Sequence, residues 1–411
     1  MKKKKLIRIT TADISLNSLI KGQLRFLNQY FDVVALSNDT GKLKAVGERE
    51  GVRVIEVPMH REISLKSDIL CLWKLYGIFK KEKPDIIHAN TPKGSLLAMV
   101  AGWLAGVKHR LYTVTGLRYQ GASGLLRIIL MNMERISCFF ATKVIPEGNG
   151  VKKALLHDHI TGKSLEVILN GNINGIDVEY FDPSIYTIDQ RTVKYTGGRD
   201  QIRQDLGFSD KDFVFIFIGR IVKDKGMNEL ATCLRRLAPL YPHVKLLLVG
   251  RFENKLDPLQ EGNEGFYQSS PKVKYIGYQS DVRPFLLASD ALVFPSYREG
   301  FPNVVLQAGA MGLPAIVTNI NGCNEIIVDG CNGKIIPSKD ERALHEMMVY
   351  FVENKNEVQR MADNARSMII QRYEQKAVWE AILDMYQPVS YTHLTLPTTA
   401  RRCRSRWSPY H

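Results

Sequence analysis

The sequence predicts an α/β protein made of two Rossmann-like, doubly wound domains in tandem, with a cleft between them. Three observations predict it. Strand-like runs alternate with helix-length stretches through both halves of the chain. Several runs are continuously apolar, as parallel strands covered on both faces must be. In the second half, run after run ends on glycine, which gives the chain a tight, open turn where it leaves a parallel strand. At 411 residues the chain is long enough for two separate cores.

In the first half, strands are expected at 6–10, 33–37, 52–57, 85–89, 110–114 and 143–145, with helices at 64–83 and 123–140 among those between them. A turn-rich link at 170–177 follows, and the polar stretch 182–205 reads as a loose surface excursion. The second half repeats the pattern at 213–218, 244–249, 273–276, 291–294 and 314–317, with a helix at 227–237. A mainly helical tail spans 341–386, and its last helix is expected to pack back across the link. The expected division is a first domain at 1–173, a second at 174–371, a returning helix at 372–388 and a non-native tail at 389–411. That tail resembles translated sequencing-adapter sequence and is set aside from the fold.

Composition excludes several classes. No apolar run reaches the ~18 residues that span a bilayer; the nearest, 94–107, reads as a core helix. The six cysteines are scattered without a C-x-x-C pair, as in reduced thiols rather than a disulfide frame or zinc site. The formal charge of +14 is uneven: residues 1–173 hold 27 Lys and Arg against 14 Asp and Glu, residues 174–388 hold 25 against 28. A basic half without a nucleic-acid motif fits an anionic membrane surface, or simply a solvated basic face. The helix around 125–140 has a broad apolar side, for which core packing is the simpler reading.

Two turns carry the candidate chemistry. The run Ser296–Gly312 leaves the 291–294 strand, passes Glu299, Gly300 and Phe301, and enters a helix with Pro302 at its first position. The backbone N–H groups of Asn303, Val304 and Val305 then point out of the helix start, an anion site. Glu299 beside an anion site requires another partner, such as the hydroxyls of a sugar attached to the phosphate. The second turn, Gly219-Arg220…Lys225-Gly226, offers a guanidinium able to grip phosphate oxygens and an ammonium beside it.

With both turns in view, residues 6–387 resemble the retaining glycosyltransferases of family 4, with a GT-B fold. The resemblance rests on Gly219-Arg220…Lys225-Gly226, Leu248-Val249-Gly250, Tyr275-Ile276-Gly277, Glu299-Gly300-Phe301-Pro302-Asn303 and Asn324-Glu325. In the first half, Thr10-Thr11-Ala12…Ser15, the 88–93 run and the 112–117 run are similar to the branch that builds capsule, lipopolysaccharide or lipid-linked oligosaccharides. The resemblance implies a UDP-sugar donor, a lipid-linked or glycan acceptor, and a place at the cytoplasmic face of the membrane. It implies that Arg220 and Lys225 contact the diphosphate, the Val304 and Val305 amides the distal phosphate, and Glu299 the donor sugar. It puts Arg251 and the backbone of Tyr275 and Ile276 near the base. Glu299, Arg220 and Lys225 are thus the expected catalytic residues.

Two departures stand out. The family's second glutamate, eight positions after Glu299, is Gln307, which hydrogen-bonds a hydroxyl without charge. A histidine common in the loop after the 110–114 strand is absent, with Thr113, Thr115 and Gly116 there instead. His88 and His109 read as structural. For the acceptor, Ser15, Lys93, Thr115 and Arg118 are the candidates, with Lys93 and Arg118 placed to hold a lipid pyrophosphate or to be plain surface charges. Neither a metal nor a cofactor is expected: Asp210 and Asp212 precede their strand, at the end away from the cleft. The alternatives are a non-catalytic sugar-nucleotide-binding scaffold, or a sugar-nucleotide hydrolase or epimerase on the same fold.

Overall fold

The computed structural model describes residues 3–60, 64–184, 198–253 and 257–387. Among the described residues, twelve strands form two six-stranded parallel sheets. The first holds β1 (Lys5–Ala12), β2 (Asp32–Asn38), β3 (Arg53–Glu56), β4 (Ile86–Ala89), β5 (His109–Val114) and β6 (Lys143–Pro146), in the order β3-β2-β1-β4-β5-β6. The second holds β7 (Phe213–Ile218), β8 (Val244–Val249), β9 (Val273–Gly277), β10 (Ala291–Phe294), β11 (Ala315–Thr318) and β12 (Gly333–Ile336), in the order β12-β11-β10-β7-β8-β9. The first-half helices are α1 (Asp13–Ser18), α2 (Gln23–Asn28), α3 (Leu43–Glu50), α4 (Leu65–Glu82), α5 (Pro92–Leu104), α6 (Gly124–Phe140) and α7 (Asn149–His157). Then come α8 (Arg199–Leu206), α9 (Met227–Leu240), α10 (Asn263–Ser269), α11 (Arg283–Ala288), α12 (Asn303–Ala310), α13 (Cys323–Ile326), α14 (Glu341–Glu353), α15 (Lys355–Tyr373) and α16 (Gln375–Tyr386). The expected α/β class and GT-B architecture are borne out.

Continuous apolar runs explain the sheets. In β7, Phe213 to Phe217 are buried without alternation, because helices cover both faces. The same holds for β2 and β10. The strand β12 escapes the sequence reading: it is four residues long, and only Gly333 and Ile336 are buried. Of the expected polar excursion, 185–197 lie outside the described residues, and its end is corrected to helix. Arg199 opens α8 and its guanidinium pairs with Asp290 at 2.6 Å. The 389–411 tail lies outside the described residues.

The chain returns to its first half through α16. Val378, Ile382, Leu383 and Tyr386 join a core with Leu6, Leu24 and Phe31. Beneath them Arg8, 1% exposed, donates to the Tyr386 hydroxyl at 2.5 Å and to the Asn90 side-chain oxygen at 2.8 Å. His88 completes the cluster, bonded to Thr113 at 2.7 Å, and burial followed by the Arg8 charge holds its imidazole well below its ordinary pKa. His88 is thus a neutral structural residue, and His109 opens β5 at the strand end away from the cleft. The link itself is a short bridge: the Ile176 amide donates to the Tyr373 carbonyl and its carbonyl accepts from the Gln375 amide.

Candidate active site

The two candidate turns meet because β7 and β10 are parallel neighbours. Gly226, at φ 70°, ends the first turn in the left-handed region, and a side chain there would run into the Pro295 backbone. That contact stitches the turns together. The Tyr297 amide donates to the Asp224 carbonyl at 2.8 Å, and Arg298 pairs with the Asp224 carboxylate at 3.0 Å. The result brings Lys225 onto Glu299 as an ion pair, with the buried Ser296 hydroxyl donating to the same carboxylate oxygen at 2.9 Å. Arg220 leans the other way and pairs with Glu253 at 3.1 Å. Both expected phosphate cations therefore hold a carboxylate that a diphosphate must displace or share.

The helix start differs from expectation in one amide. Pro302 is the N-cap and α12 begins at Asn303. The Val305 amide is already bonded to the Pro302 carbonyl at 3.1 Å. Among the described residues, the amides of Asn303 and Val304 are the ones left for an anion.

The side chains of Phe301, Pro302 and Asn303 pack at the junction of the two halves. The Phe301 ring lies over the backbone of Gly148 and Gly171 and packs edge-on to Tyr373 at 5.6 Å. Pro302 is buried, and the Asn303 side-chain oxygen accepts from Asn172 at 2.9 Å. Gln307 lies half-buried on α12. At the β8 and β9 ends, the Arg251 guanidinium stacks on Tyr278, 4.7 Å from its ring centre, and Tyr275 packs edge-on against Phe252. The Ile276 carbonyl is occupied, accepting from the Gln279 side-chain Nε2 at 2.8 Å. Exposed Tyr278 was missed, although its place one residue past Gly277 is a usable signal.

On the opposing wall, Thr115 and Arg118 face the second half directly. A cavity of about 250 Å³ runs from Pro92, Thr115 and Arg118 to Arg220, Lys225, Glu299 and Gly300. The approach is tight: a Cβ on Gly300 would fall 2.8 Å from the Thr115 carbonyl carbon and 2.9 Å from the Glu147 carboxylate. The other two acceptor candidates are corrected. Lys93 is 4% exposed and paired with Asp68 at 2.6 Å, so its charge is already neutralised inside the fold. Ser15 sits within α1 and lines neither this cavity nor the larger one beside it.

Two carboxyls close the junction: Glu325, which the sequence marked only as part of the resemblance, and Glu147, which it did not flag. Glu325 accepts from the Asn149 and Gly150 amides at 2.5 and 2.9 Å, so a residue of the second sheet's half caps α7 of the first. Glu147, directly after β6, is 5% exposed. Burial first, then the Glu299 and Glu325 charges, push its carboxyl up to about 8. Asp210 and Asp212 lie ahead of β7, where Asp212 caps the Ser209 amide at 2.7 Å. Among the described residues no group of three His, Cys, Asp or Glu side chains is arranged to hold a metal ion.

The family model of group 1 glycosyl transferases matches residues 198–368, and that of glycosyl transferase 4-like proteins matches residues 17–147. The capsular polysaccharide biosynthesis glycosyltransferase CapM of Staphylococcus aureus is 31% identical over 388 residues, 94% of this chain and 97% of that protein. The chain belongs to the group 1 glycosyltransferases. The UDP-Gal:alpha-D-GlcNAc-diphosphoundecaprenol alpha-1,3-galactosyltransferase of Escherichia coli is 27% identical, over 92% of this chain and 97% of its own length. The crystal structure of Anabaena Alr3699/HepE in complex with UDP-glucose superposes with a TM-score of 0.73 at 19% identity, covering 93% of this chain and 98% of that one. At that identity the likeness shows the GT-B fold of this glycosyltransferase, and the cleft between its two sheets is where both turns lie.

Proposed function

We propose that this glycosyltransferase moves a sugar from a UDP-sugar to a lipid-linked acceptor at the cytoplasmic face of an anionic membrane, without a metal and with retention of anomeric configuration. The observation that carries the reading is the Lys225–Glu299–Ser296 arrangement beside Arg220 and the Asn303 and Val304 amides. Breaking the glycosidic bond leaves extra negative charge on the departing diphosphate. Fixed donors aimed at that charge lower the barrier, and removing one such donor costs roughly 10²–10³ in rate. Arg220, Lys225 and the helix amides supply them. Glu299 accepts from donor-sugar hydroxyls while its own charge is balanced by Lys225. Retention then follows by attack on the same face as the departing phosphate, which takes the acceptor's proton. The E. coli relative, whose printed acceptor is a diphosphoundecaprenol-linked sugar, supports the choice of acceptor class.

The membrane contact takes a different form from the basic face expected. On α4, α5 and α6, packed side by side, Leu70, Trp73, Trp103, Leu125, Leu126 and Phe139 are exposed. The α6 expectation of core packing is thereby corrected: its apolar side faces outward. Lysines of α4 flank the patch, at ~1 kcal/mol per cation near an anionic surface. No helix among the described residues is long and apolar enough to cross a membrane.

A panel of UDP-sugars, incubated with and without a membrane lipid extract, tests the reading. UDP release from one donor, dependent on the extract and unchanged by EDTA, is expected. Abolition by EDTA contradicts metal independence. UDP binding with no release from any donor favours a non-catalytic sugar-nucleotide-binding scaffold.

A further inference from the structure

A second cavity, of about 860 Å³, adjoins the first and shares Arg220, Arg298 and Glu299 with it. Its position in the second sheet separates it from the nucleoside end. Arg251 and Tyr278 follow β8 and β9, on one side of β7. This cavity touches that side only at Asp257, after β8, and extends to Asn319 after β11 and Lys339 after β12, on the opposite side. Glu299 stands between the two. A donor bound as proposed, with its phosphates at Arg220 and its sugar at Glu299, leaves this space for what receives the sugar.

The lining has a definite chemistry. Arg127 of α6, Arg298 and Lys339 converge on the cavity from both halves of the protein, alongside the carboxylates Asp158, Asp224 and Asp257, and a diphosphate must share Arg298 with Asp224, 3.0 Å away. Arg298 crosses the cleft to pack against Gly121, its Nε 2.8 Å from where a Cβ there would sit. Arg127 is held only loosely, 3.9 Å from Asp158. Lys339 has a left-handed backbone (φ 63°) that sets its ammonium over the Tyr297 ring, 5.0 Å from the centre. Among the described residues, no carboxylate lies within 4 Å of Lys339. Arg127 also sits on the helix that exposes Leu125, Leu126, Ile128 and Ile129, so the cavity's cationic wall and the apolar surface share α6.

We infer that this cavity is the acceptor subsite, in which Arg127, Arg298 and Lys339 hold a diphosphate linking the acceptor to its lipid, with the lipid leaving along the apolar side of α6. This rests on the proposed function for the class of acceptor. Bidentate guanidinium contacts suit a diphosphate, and an ammonium adds a point charge.

Farnesyl diphosphate serves as a soluble probe, titrated with UDP held at saturation to occupy the donor site. The expected result is binding that farnesol does not reproduce and that weakens at least ~10-fold in Arg127→Ala/Lys339→Ala, with UDP affinity unchanged. Arg127→Lys recovers only part of the affinity, because an ammonium keeps the charge but not the two-point contact. Unaltered farnesyl diphosphate affinity in the double variant overturns the inference. So does displacement of the probe by UDP, which places it in the donor site, or equal binding of farnesol, which removes the diphosphate from recognition. Unchanged UDP affinity confirms that the variants fold. A wild-type protein that fails to bind UDP contradicts the donor reading instead, and the probe's response to the double variant still decides the inference.

Discussion

Replacing Glu147 by glutamine tests the electrostatics of the closed cleft. The Glu147 carboxyl is buried between Glu299 and Glu325, and burial first, then those two charges, push it from 4.5 up to about 8. The two facing acids are differently placed: Glu299 is held by Lys225 and Ser296, Glu325 by the α7 amides. Between pH 4.5 and about 8 the folded protein keeps a proton on Glu147 that the unfolded chain has released. Stability contributed by that proton is full below the lower value and lost as pH rises through the upper one. The slope is ~1.4 kcal/mol per pH unit, and the whole window gives ~4–5 kcal/mol as an upper limit, since opening the cleft hydrates the group. Glutamine has the size of the protonated acid and does not titrate. Urea unfolding of both proteins at pH 5 and pH 8.5 should therefore show a stability advantage for Glu147→Gln that grows by at least ~2 kcal/mol with pH. Glu134, buried against Tyr112 and raised to about 7, titrates in both proteins and cancels in the comparison. An advantage that does not change with pH would refute the reasoning.

Other substitutions probe the junction between the two halves. Gly300→Ala places a methyl against the Thr115 backbone, so the cleft is held open; transfer should fall at least ~100-fold while UDP still binds, and small-angle scattering should show a larger radius of gyration. Glu325→Ala removes the cap on α7, at a cost of about 0.5–2 kcal/mol. The resulting loss should appear mainly as a weaker donor KM with a more open particle; an unchanged KM and scattering profile would show that the cap does not hold the closed form.

The strands were legible because apolar runs covered on both faces cannot be mistaken for surface, and β7 and β8 match the expected bounds to the residue. The Glu299 and Lys225 turns were legible because glycine and proline mark where a chain leaves a strand. What the sequence did not show depends on partners distant in the chain. Lys93 reads as a free cation until Asp68 is seen beside it. The packing of Phe301 shows only when Gly148 and Gly171 appear beneath its ring. Glu147 and Glu325 acquire meaning only when the two sheets face each other. The apolar side of α6 was ambiguous because periodicity identifies an apolar face without saying what covers it.

The central claim is that Glu299 and Arg220 act on the donor, at its sugar and its diphosphate. Steady-state transfer by Glu299→Ala and Arg220→Ala, with donor and lipid acceptor both saturating, tests it most directly. The account predicts that each variant stays folded and loses at least ~100-fold in kcat. A loss of about tenfold or less in both would contradict it.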